Sequence, residues 1–315
     1  MNEIIQHFLE NRGFDFNDIE YLQNPNPKHQ HNPLLLRGVD EWIDILHSVK
    51  GQNISVFPDY DADGILSGTL ARVGLYILGF GDVFVYPPKV CDGYGLTPKS
   101  VDGILKDNPK TQVIITTDNG SNAHKGVLYA KEKGIKVLIT DHHVTKFDSP
   151  ADASVNPNGY LESYPFSEIS GTAVIYKVLL AYILKYSKIN QDFLSLMFLV
   201  GLSTISDVMP LVDENRYFVK QGINMLNNFT NNNTDNFDDT PVGQYYRGVY
   251  RLVKVLEKEG RLKYGITTDT FGFVIAPILN SPRRMMGRSE IAFDLFRMKK
   301  SDKDISQELY NINED

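Results

Sequence analysis

Residues 53–64 read NISVFPDYDADG, a short apolar run that ends in a cluster of acidic residues. Two later stretches have the same form: VIITTDNG at 113–120 and KVLITDHH at 136–143. Short runs rich in β-branched residues are typical of buried parallel strands. The three stretches therefore predict three strands of one sheet, each followed at its carboxyl end by carboxylate or imidazole side chains.

The acidic residues after these runs predict a metal site, because sites in open parallel sheets lie beyond the carboxyl ends of the strands. Seven side chains are expected to meet there: Asp59, Asp61, Asp63, Asp118, Asp141, His142 and His143. So many carboxylates repel one another unless cations lie among them. Neighbouring strands are about 4.8 Å apart and paired catalytic metals about 3.5–4 Å apart. Carboxylates on adjacent strands can therefore bridge two cations.

The segment 59–64 also allows two other interpretations. A calcium-binding EF-hand loop requires a glutamate at its twelfth position. Counting from Asp59 places Leu70 there, and the segment follows a strand rather than a helix. A polar turn with helix-capping aspartates is the plain alternative. Oxygen and imidazole ligands together favour manganese, magnesium or iron(II) over structural zinc. Asp207, at the end of an apolar helix-like run, either caps that helix or completes the cluster.

The composition is that of a globular protein with one large domain or two ordinary ones. The chain has 315 residues, of which 42% are hydrophobic, so a core can form. Its formal net charge of −7 does not favour attraction of nucleic acid to the whole surface, although a local basic groove is compatible with it. The single cysteine, Cys91, excludes disulfides within the chain. Without a signal-peptide core or a membrane-length apolar run, we predict a cytoplasmic protein with no membrane partner.

The order of elements predicts an α/β protein with a mainly parallel sheet flanked by helices and a helix-rich C-terminal region. We expect helices over 65–78, 99–105, 124–133, 171–186 and 192–205, and a further strand over 83–86. We divide the chain into a helical segment at 1–50, a catalytic α/β domain at 51–226, an Asn- and Asp-rich linker or loop at 227–243, and a helix-rich region with a basic loop at 244–315.

Four segments resemble, in order, the signature motifs of the DHH phosphoesterase superfamily: DYDADG at 59–64, TDNG at 117–120, DHH at 141–143 and GLSTISD at 201–207. Four more resemble its RecJ-like branch, the single-strand-specific DNA exonucleases: DGYGL at 92–96, SGTA at 170–173, DENR at 213–216 and FVIAPILN at 273–280. The resemblance covers residues 32 to 296. It implies a DHH-type fold and hydrolysis of single-stranded DNA in the 5′ to 3′ direction.

The resemblance also implies a role for each matching residue. Six residues would bind two divalent cations, with manganese preferred and magnesium as the alternative: Asp59, Asp61, Asp63, Asp118, His142 and Asp207. Asp61 and Asp63 would each reach one cation, Asp118 would bridge both, and His142 would bind the second beside Asp207. His143 would face the scissile phosphate, so Asp118, His142 and His143 are the predicted catalytic residues. We expect a hydroxide held by a cation to attack the phosphodiester.

The same resemblance predicts that Asn280 and the basic loop after it bind a substrate phosphate. Arg284 falls at the position of the family's arginine, but Arg283 lies where the family has small residues. Which of Arg283, Arg284 and Arg288 binds phosphate is therefore open, and a solvated helix face is the plain alternative. Nothing after Phe296 resembles the DHH-associated domain that normally follows. We expect either a catalytic fragment or a minimal form completed by a partner protein that supplies the missing substrate-binding domain.

Two other functions remain as alternatives. The first is a DHH-type hydrolase of short oligonucleotides or cyclic dinucleotides, which a length series of substrates would distinguish. The second is a non-catalytic replication or recombination scaffold, which would predict eroded ligands, whereas all the expected acidic and histidine positions are filled. The main prediction is thus a metal-dependent exonuclease acting on single-stranded DNA.

Overall fold

Five parallel strands form the centre of the part of the chain described by this computed structural model, which covers residues 3–188, 190–229 and 235–314. The strands are β1 (Ile54–Pro58), β2 (Phe84–Val85), β3 (Val113–Thr117), β4 (Lys136–Thr140) and β5 (Ala153–Val155). Their order in the sheet is β2-β1-β3-β4-β5, and every neighbouring pair is parallel. Strands β1, β3 and β4 are in register from end to end, so their carboxyl ends are level.

Helices surround the sheet and fill the C-terminal part of the described chain. They are α1 (Glu3–Glu10), α2 (Phe16–Gln23), α3 (Val39–Ser48), α4 (Ala62–Ile77), α5 (Pro98–Asp107), α6 (His124–Glu132), α7 (Gly171–Tyr186), α8 (Gln191–Ser195), α9 (Met197–Ser206), α10 (Asp213–Phe229), α11 (Pro241–Lys258), α12 (Thr268–Thr270), α13 (Ala276–Met286), α14 (Glu290–Leu295) and α15 (Ser306–Glu314). A π-helical turn, Phe271–Ile275, joins α12 to α13.

The two faces of the sheet pack against different helices, because successive residues of a strand point to opposite sides. On one face, Val56 and Ile115 belong to the large apolar core that includes α3, α4 and α7. On the other face, Ile114 and Val137 belong to a smaller core with α5 and α6. Burial on both faces explains why these strands are continuous apolar runs rather than alternating ones.

The strand order places a crevice between β1 and β3. From β1 the chain passes to β2 on one side, and then returns to β3 on the other side of β1. Ligands of open α/β sheets bind at the carboxyl edge where the order reverses in this way. The residues after β1 and β3 are Asp59 and Asp118, so the crevice coincides with the predicted cluster.

Most predicted elements are confirmed, and the fold class is confirmed as α/β with a parallel sheet flanked by helices. The strands at 113–117 and 136–140 have the predicted bounds, whereas the strand predicted at 83–86 is only Phe84–Val85. The helix predicted over 192–205 is instead divided into α8 and α9 at Leu196. Strand β5 and helix α10 were not predicted.

The predicted linker at 227–243 lies partly outside the described residues. Helix α10 continues to Phe229, residues 230–234 are not described, and α11 begins at Pro241. The domain boundaries remain predictions. No helix within the described ranges is long and apolar enough to cross a membrane.

Candidate metal centre

Three aspartates lie side by side where the sheet ends. Pro58, Thr117 and Thr140 are paired across β1, β3 and β4, and an aspartate follows each of them. The backbone ladder continues through these aspartates: the amides of Asp59, Asp118 and Asp141 donate to the carbonyls of Thr117, Thr140 and Val155 at 3.2, 3.0 and 3.1 Å. The strand register therefore fixes all three backbones at one edge, and all three side chains are buried.

Asp118 is held in a backbone conformation that is rare for residues other than glycine, with φ of 62°. The Asn119 side chain fixes this turn by donating to the carbonyls of Phe57 and Thr117 at 3.2 and 3.0 Å. The Oδ1 atom of Asp118 is buried and has no hydrogen-bond partner among the residues described. A buried carboxylate oxygen without a partner is costly unless a cation or proton compensates it.

His142 presents one ring nitrogen to this carboxylate. Its Nδ1 lies 3.0 Å from the carbonyl oxygen of Ile169, which can only accept, so Nδ1 carries the proton. In the neutral ring, Nε2 is then an acceptor. It lies 3.1 Å from Oδ1 of Asp118, 3.6 Å from Oδ2 of Asp207 and 3.9 Å from Oδ2 of Asp63. Three carboxylate oxygens that converge on one acceptor nitrogen at these distances are arranged for a cation.

Asp63 is held by the start of α7 and by α9. Its oxygens accept hydrogen bonds from the amides of Gly171 and Thr172 at 2.7 and 2.9 Å, and from the hydroxyls of Thr172 and Ser203 at 2.6 and 2.5 Å. These donors fix the carboxylate in one orientation, and its Oδ2 still faces His142. The start of α7, where a helix favours negative charge, thus binds the carboxylate of Asp63.

Two groups of residues place one ligand atom each within 4.8 Å of the others: Asp118, His142 and His143 form one, and Asp63, His142 and Asp207 form the other. Asp59 and Asp61 belong to neither group. Asp61 caps α4 by accepting the Gly64 amide at 3.0 Å, as the plain alternative expected, and Asp59 accepts the Tyr60 amide at 2.7 Å. Both still lie close enough to raise the pKa of Asp118.

Four carboxylates of the cluster, those of Asp59, Asp61, Asp118 and Asp207, resist ionisation. Burial and then the neighbouring Asp61 raise the pKa of Asp59 to about 7. Burial and then Asp63 raise the pKa of Asp207 to about 7 and that of Asp118 well above its usual range. Burial likewise raises the pKa of Asp61. The protein alone does not supply the positive charge that would keep these residues ionised at neutral pH, as expected of a site for cations.

Asp141 orients His143 and is not in either ligand group. Its Oδ1 lies 2.8 Å from Nδ1 of His143, and its Oδ2 accepts the Ser121 amide at 2.9 Å. The hydrogen bond to Asp141 raises the pKa of His143 to about 9. Burial acts to raise the pKa of Asp141, but the hydrogen bonds from His143 and Ser121 lower it below its usual range. His143 is thus a cation at the open side of the cluster, where 43% of its side chain is exposed.

The predicted phosphate-binding loop lies in helix α13. Asn280 accepts the Ala62 amide with its Oδ1 at 2.8 Å, which ties α13 to the start of α4 beside the acidic residues. The Arg283 guanidinium lies 4.4 Å above the ring of Tyr60, which follows Asp59. Arg284 and Arg288 are exposed and form no ion pair with the cluster in the described part of the chain.

Five residues contribute to the site in ways that the sequence did not predict. They are Ile169 through its carbonyl, Gly171 and Thr172 through their amides, Ser203 through its hydroxyl, and Asp141, which was expected in the cluster but acts by orienting His143. The residues present fit divalent cations: an oxygen-rich set with one imidazole, an acceptor without a partner and an excess of negative charge.

The class of protein follows from comparison with known families. Residues 53–200 match the model of the DHH family, N-terminal domain. This stretch contains β1, β3 and β4 with the aspartates and histidines that follow them. This stretch of the chain, 148 of its 315 residues, is therefore similar to the DHH family.

Over a longer stretch the chain is similar to proteins named single-stranded-DNA-specific exonuclease RecJ. The RecJ of Haemophilus influenzae is 30% identical over 305 residues, which cover 88% of this chain and 50% of that protein. The RecJ of Escherichia coli is 30% identical over 265 residues, covering 79% of this chain and 42% of that protein. The chain therefore spans about half the length of the curated relatives it matches.

Solved structures agree with this similarity. An exonuclease RecJ bound to manganese has a TM-score of 0.72 at 26% identity, covering 90% of this chain and 68% of that one. A RecJ from Thermus thermophilus in complex with Mn²⁺ has a TM-score of 0.71 at 25% identity, covering 95% of this chain and 40% of that one. The acidic and histidine groups described above support binding of divalent cations by this chain as well.

Proposed function

We propose that this chain is the catalytic region of a RecJ-like exonuclease that hydrolyses single-stranded DNA with the help of divalent cations. One observation carries the proposal: a buried Asp118 oxygen without a hydrogen-bond partner lies 3.1 Å from a histidine nitrogen that also faces Asp63 and Asp207. Such a set of acceptors has no evident structural purpose. It has a direct purpose as a cation site in a phosphodiesterase.

The residues that would hold the cations are Asp59, Asp61, Asp63, Asp118, His142 and Asp207. We propose two cations, with manganese preferred over magnesium. Cations bound there would lower the pKa of a water molecule and stabilise negative charge on a phosphate. The protein contributes rigidity, because Asp63 is fixed by four hydrogen bonds and His142 by the Ile169 carbonyl.

His143 and the arginines of α13 would bind the phosphate. His143 keeps its proton at neutral pH because Asp141 accepts a hydrogen bond from it, so it can donate to a phosphate oxygen through Nε2. Arg283 contacts the ring of Tyr60, which belongs to the first motif at 59–64. At the open side of the cluster, these positive charges offset the repulsion between the phosphates of a polynucleotide and the aspartates.

The substrate, polarity and partners are proposed from the relatives. Proteins named single-stranded-DNA-specific exonuclease match most of this chain, which supports single-stranded DNA as the substrate. We propose 5′ to 3′ digestion to mononucleotides. We also propose that a separate domain or partner protein completes the strand-binding groove. A cytoplasmic location remains a prediction.

The test is digestion of single strands labelled at the 5′ or the 3′ end, with manganese, by the wild-type chain and by Asp118→Asn. We expect the wild type to release label from the 5′ end first and the variant to lose activity by at least about a hundredfold, since a residue that would hold the cations is lost. Asp44→Asn, which removes a surface carboxylate paired with Lys185, is the matched control and should keep full activity. Full activity of Asp118→Asn would reject this site. Preference for short oligonucleotides in a length series would favour the alternative hydrolase.

A further inference from the structure

Residues 167–172, which we call the anchor segment, contact two predicted metal ligands through consecutive peptide groups. The carbonyl of Ile169 accepts from Nδ1 of His142 at 3.0 Å. The amides of Gly171 and Thr172 donate to Asp63 at 2.7 and 2.9 Å. The orientation of both ligands therefore depends on where this backbone segment lies.

One buried side chain ties the anchor segment to the loop after α9. Asn215, in the first turn of α10, is fully buried. Its Nδ2 donates to the carbonyl of Glu168 at 2.7 Å and to the carbonyl of Pro210 at 3.0 Å. Glu168 precedes Ile169, and Pro210 lies three residues after Asp207. A single amide group thus connects the segment that orients His142 with the loop that begins at Asp207.

The start of α10 is itself rigidly held, so Asn215 has a fixed position from which to act. Glu214 is fully buried and accepts from the Lys177 ammonium at 2.6 Å and from the Tyr164 hydroxyl at 2.8 Å. Asp213 accepts from Nε2 of His31 at 2.8 Å. Breaking a buried ion pair of this kind is strongly destabilising, so the helix start does not move independently of α7.

We propose that Asn215 is a positioning residue for the cation site, which presets His142 and Asp207 without contacting a cation or the substrate. The inference rests on the proposed function, because it assumes that the cluster binds cations. Groups that orient a ligating histidine from outside the ligand shell typically alter metal affinity by 10- to 100-fold when they are removed. Asn215 acts one step further away, through the Glu168–Ile169 peptide, so we expect the lower end of that range.

A purely structural role for Asn215 predicts a different pattern of effects. Two buried carbonyls lose their donor in either case, so a loss of stability alone does not distinguish the two roles. A positioning role predicts, in addition, weaker cation binding and a change in which ring nitrogen of His142 carries the proton. It also predicts that activity returns when manganese is raised to saturation.

The test compares Asn215→Ala with a matched control on the same helix. Asn227 also donates from Nδ2 to two carbonyls, those of Ile223 and Ile266 at 3.1 and 2.9 Å, but at the opposite end of α10. Manganese titration of each metal-free protein, followed by the paramagnetic resonance signal of free Mn²⁺, gives the dissociation constant. We expect about a tenfold increase for Asn215→Ala and no change for Asn227→Ala.

A second measurement needs no metal. Spectra of ¹⁵N-histidine-labelled protein report which ring nitrogen of His142 carries the proton, with the signal assigned from His142→Gln. We expect the Nδ1-protonated ring in the wild type and in Asn227→Ala, and a mixture in Asn215→Ala. If Asn215→Ala does not fold, Asn215→Ser carries the same test, because its single hydroxyl hydrogen can donate to only one of the two carbonyls and so breaks the connection.

The outcomes separate this inference from the proposed function. Equal manganese affinity and an unchanged His142 ring in the two asparagine variants would overturn the positioning role while leaving the cation site intact. A wild-type protein that binds no manganese would overturn the proposed function. If the wild type binds no manganese and the ring signal of Asn215→Ala is unchanged, the positioning role is overturned as well. If the signal is instead a mixture, Asn215 still positions the His142 ring, although not for a cation.

Discussion

Asp59, Asp118 and Asp207 carry raised pKa values in the folded protein, which makes stability depend on pH. An acid with a raised pKa holds its proton more tightly in the folded than in the unfolded chain. Folding is then favoured at low pH, and this contribution is lost as pH rises from the ordinary value of 3.8 through about 7 for Asp59 and Asp207. His143, raised to about 9, acts in the same direction, because its contribution is present below 6.5 and lost as pH rises through about 9.

We therefore predict that the melting temperature of the metal-free protein falls between about pH 5 and pH 9. Millimolar manganese should reduce the fall, because bound cations replace the protons at the carboxylates. Differential scanning calorimetry across this range, with and without manganese, measures both effects. Asp59→Asn should flatten the slope. A melting temperature that stays constant or rises over the range, without metal, would show that these carboxylates are not buried together.

The anchor segment comes close to Asp118 at Gly171. A Cβ atom at this position would lie 2.6 Å from both Cβ and Oδ1 of Asp118. We predict that Gly171→Ala displaces this carboxylate and weakens manganese binding by about tenfold or more. Isothermal titration of manganese into the metal-free variant measures the loss.

Gly74→Ala is the matched control for this prediction. Its Cβ would lie equally close, at 2.6 Å, to the end of the Leu179 side chain in the core between α4 and α7. Overpacking there should cost about 1–3 kcal/mol of stability without any effect on manganese affinity. Equal affinity losses in the two variants would mean that a general loosening of the fold, and not displacement of Asp118, explains the result.

Residue identity allowed prediction of only part of the cation site. Asp118 and His142 could be found because their carboxylate and imidazole groups follow buried strands, where open parallel sheets have their sites. Ile169 and Gly171 could not, because they contribute a backbone carbonyl and a backbone amide, which every non-proline residue carries. The orienting role of Asp141 was also missed, because a carboxylate that accepts from His143 has the same sequence signature as one that binds a metal.

At the scale of elements, prediction succeeded where a single physical property dominates. Strands β3 and β4 are buried on both faces and are marked by β-branched residues, so their bounds were predicted correctly. Strand β5 has only three residues, Ala153–Val155, and too few side chains to form a pattern. The break between α8 and α9 lies at Leu196, a fully buried residue within an apolar stretch, and no breaker residue marks it.

Helix α13 carries both Arg283 and Arg284, so the two can be compared as binders of the substrate phosphate. Consecutive residues of a helix point about 100° apart, so Arg283 and Arg284 face different directions. Arg283 packs over Tyr60 beside the acidic cluster, while Arg284 is exposed. We predict that Arg283→Ala weakens binding of single-stranded DNA more than Arg284→Ala does. For Arg283→Ala, the slope of log K against the logarithm of the salt concentration should also become shallower by about 0.7, the value for one lost phosphate contact.

The measurement is fluorescence anisotropy of labelled single strands over a series of salt concentrations. Asp118→Asn serves as the background for both variants, so that the strands are not digested. Each arginine variant is the control for the other, because both remove the same charge from the same helix. A larger loss for Arg284→Ala would return the phosphate contact to the position expected from the family resemblance.

At the scale of the whole molecule, the C-terminal helices complete the core of the α/β part. One continuous apolar cluster contains residues from Leu36 to Tyr310. Arg72 of α4 donates to Gln244 of α11 at 2.8 Å, and it also pairs with Asp82. A Cβ on Gly248 of α11 would lie 2.1 Å from the carbonyl oxygen of Leu295, which shows how closely α11 and α14 approach. Such a shared core couples the two parts energetically.

We accordingly predict that the chain unfolds in one cooperative transition, although the sequence divides it into regions at 51–226 and 244–315. Calorimetric and van't Hoff enthalpies of unfolding should agree. Gly248→Val provides the sharper test, because it forces α11 away from α14 in the C-terminal region. If the core is shared, the variant lowers the single melting temperature and leaves one transition, since neither part keeps its buried surface without the other. Two transitions, of which only the lower one responds to Gly248→Val, would instead identify the C-terminal helices as a separate domain and support the predicted boundary.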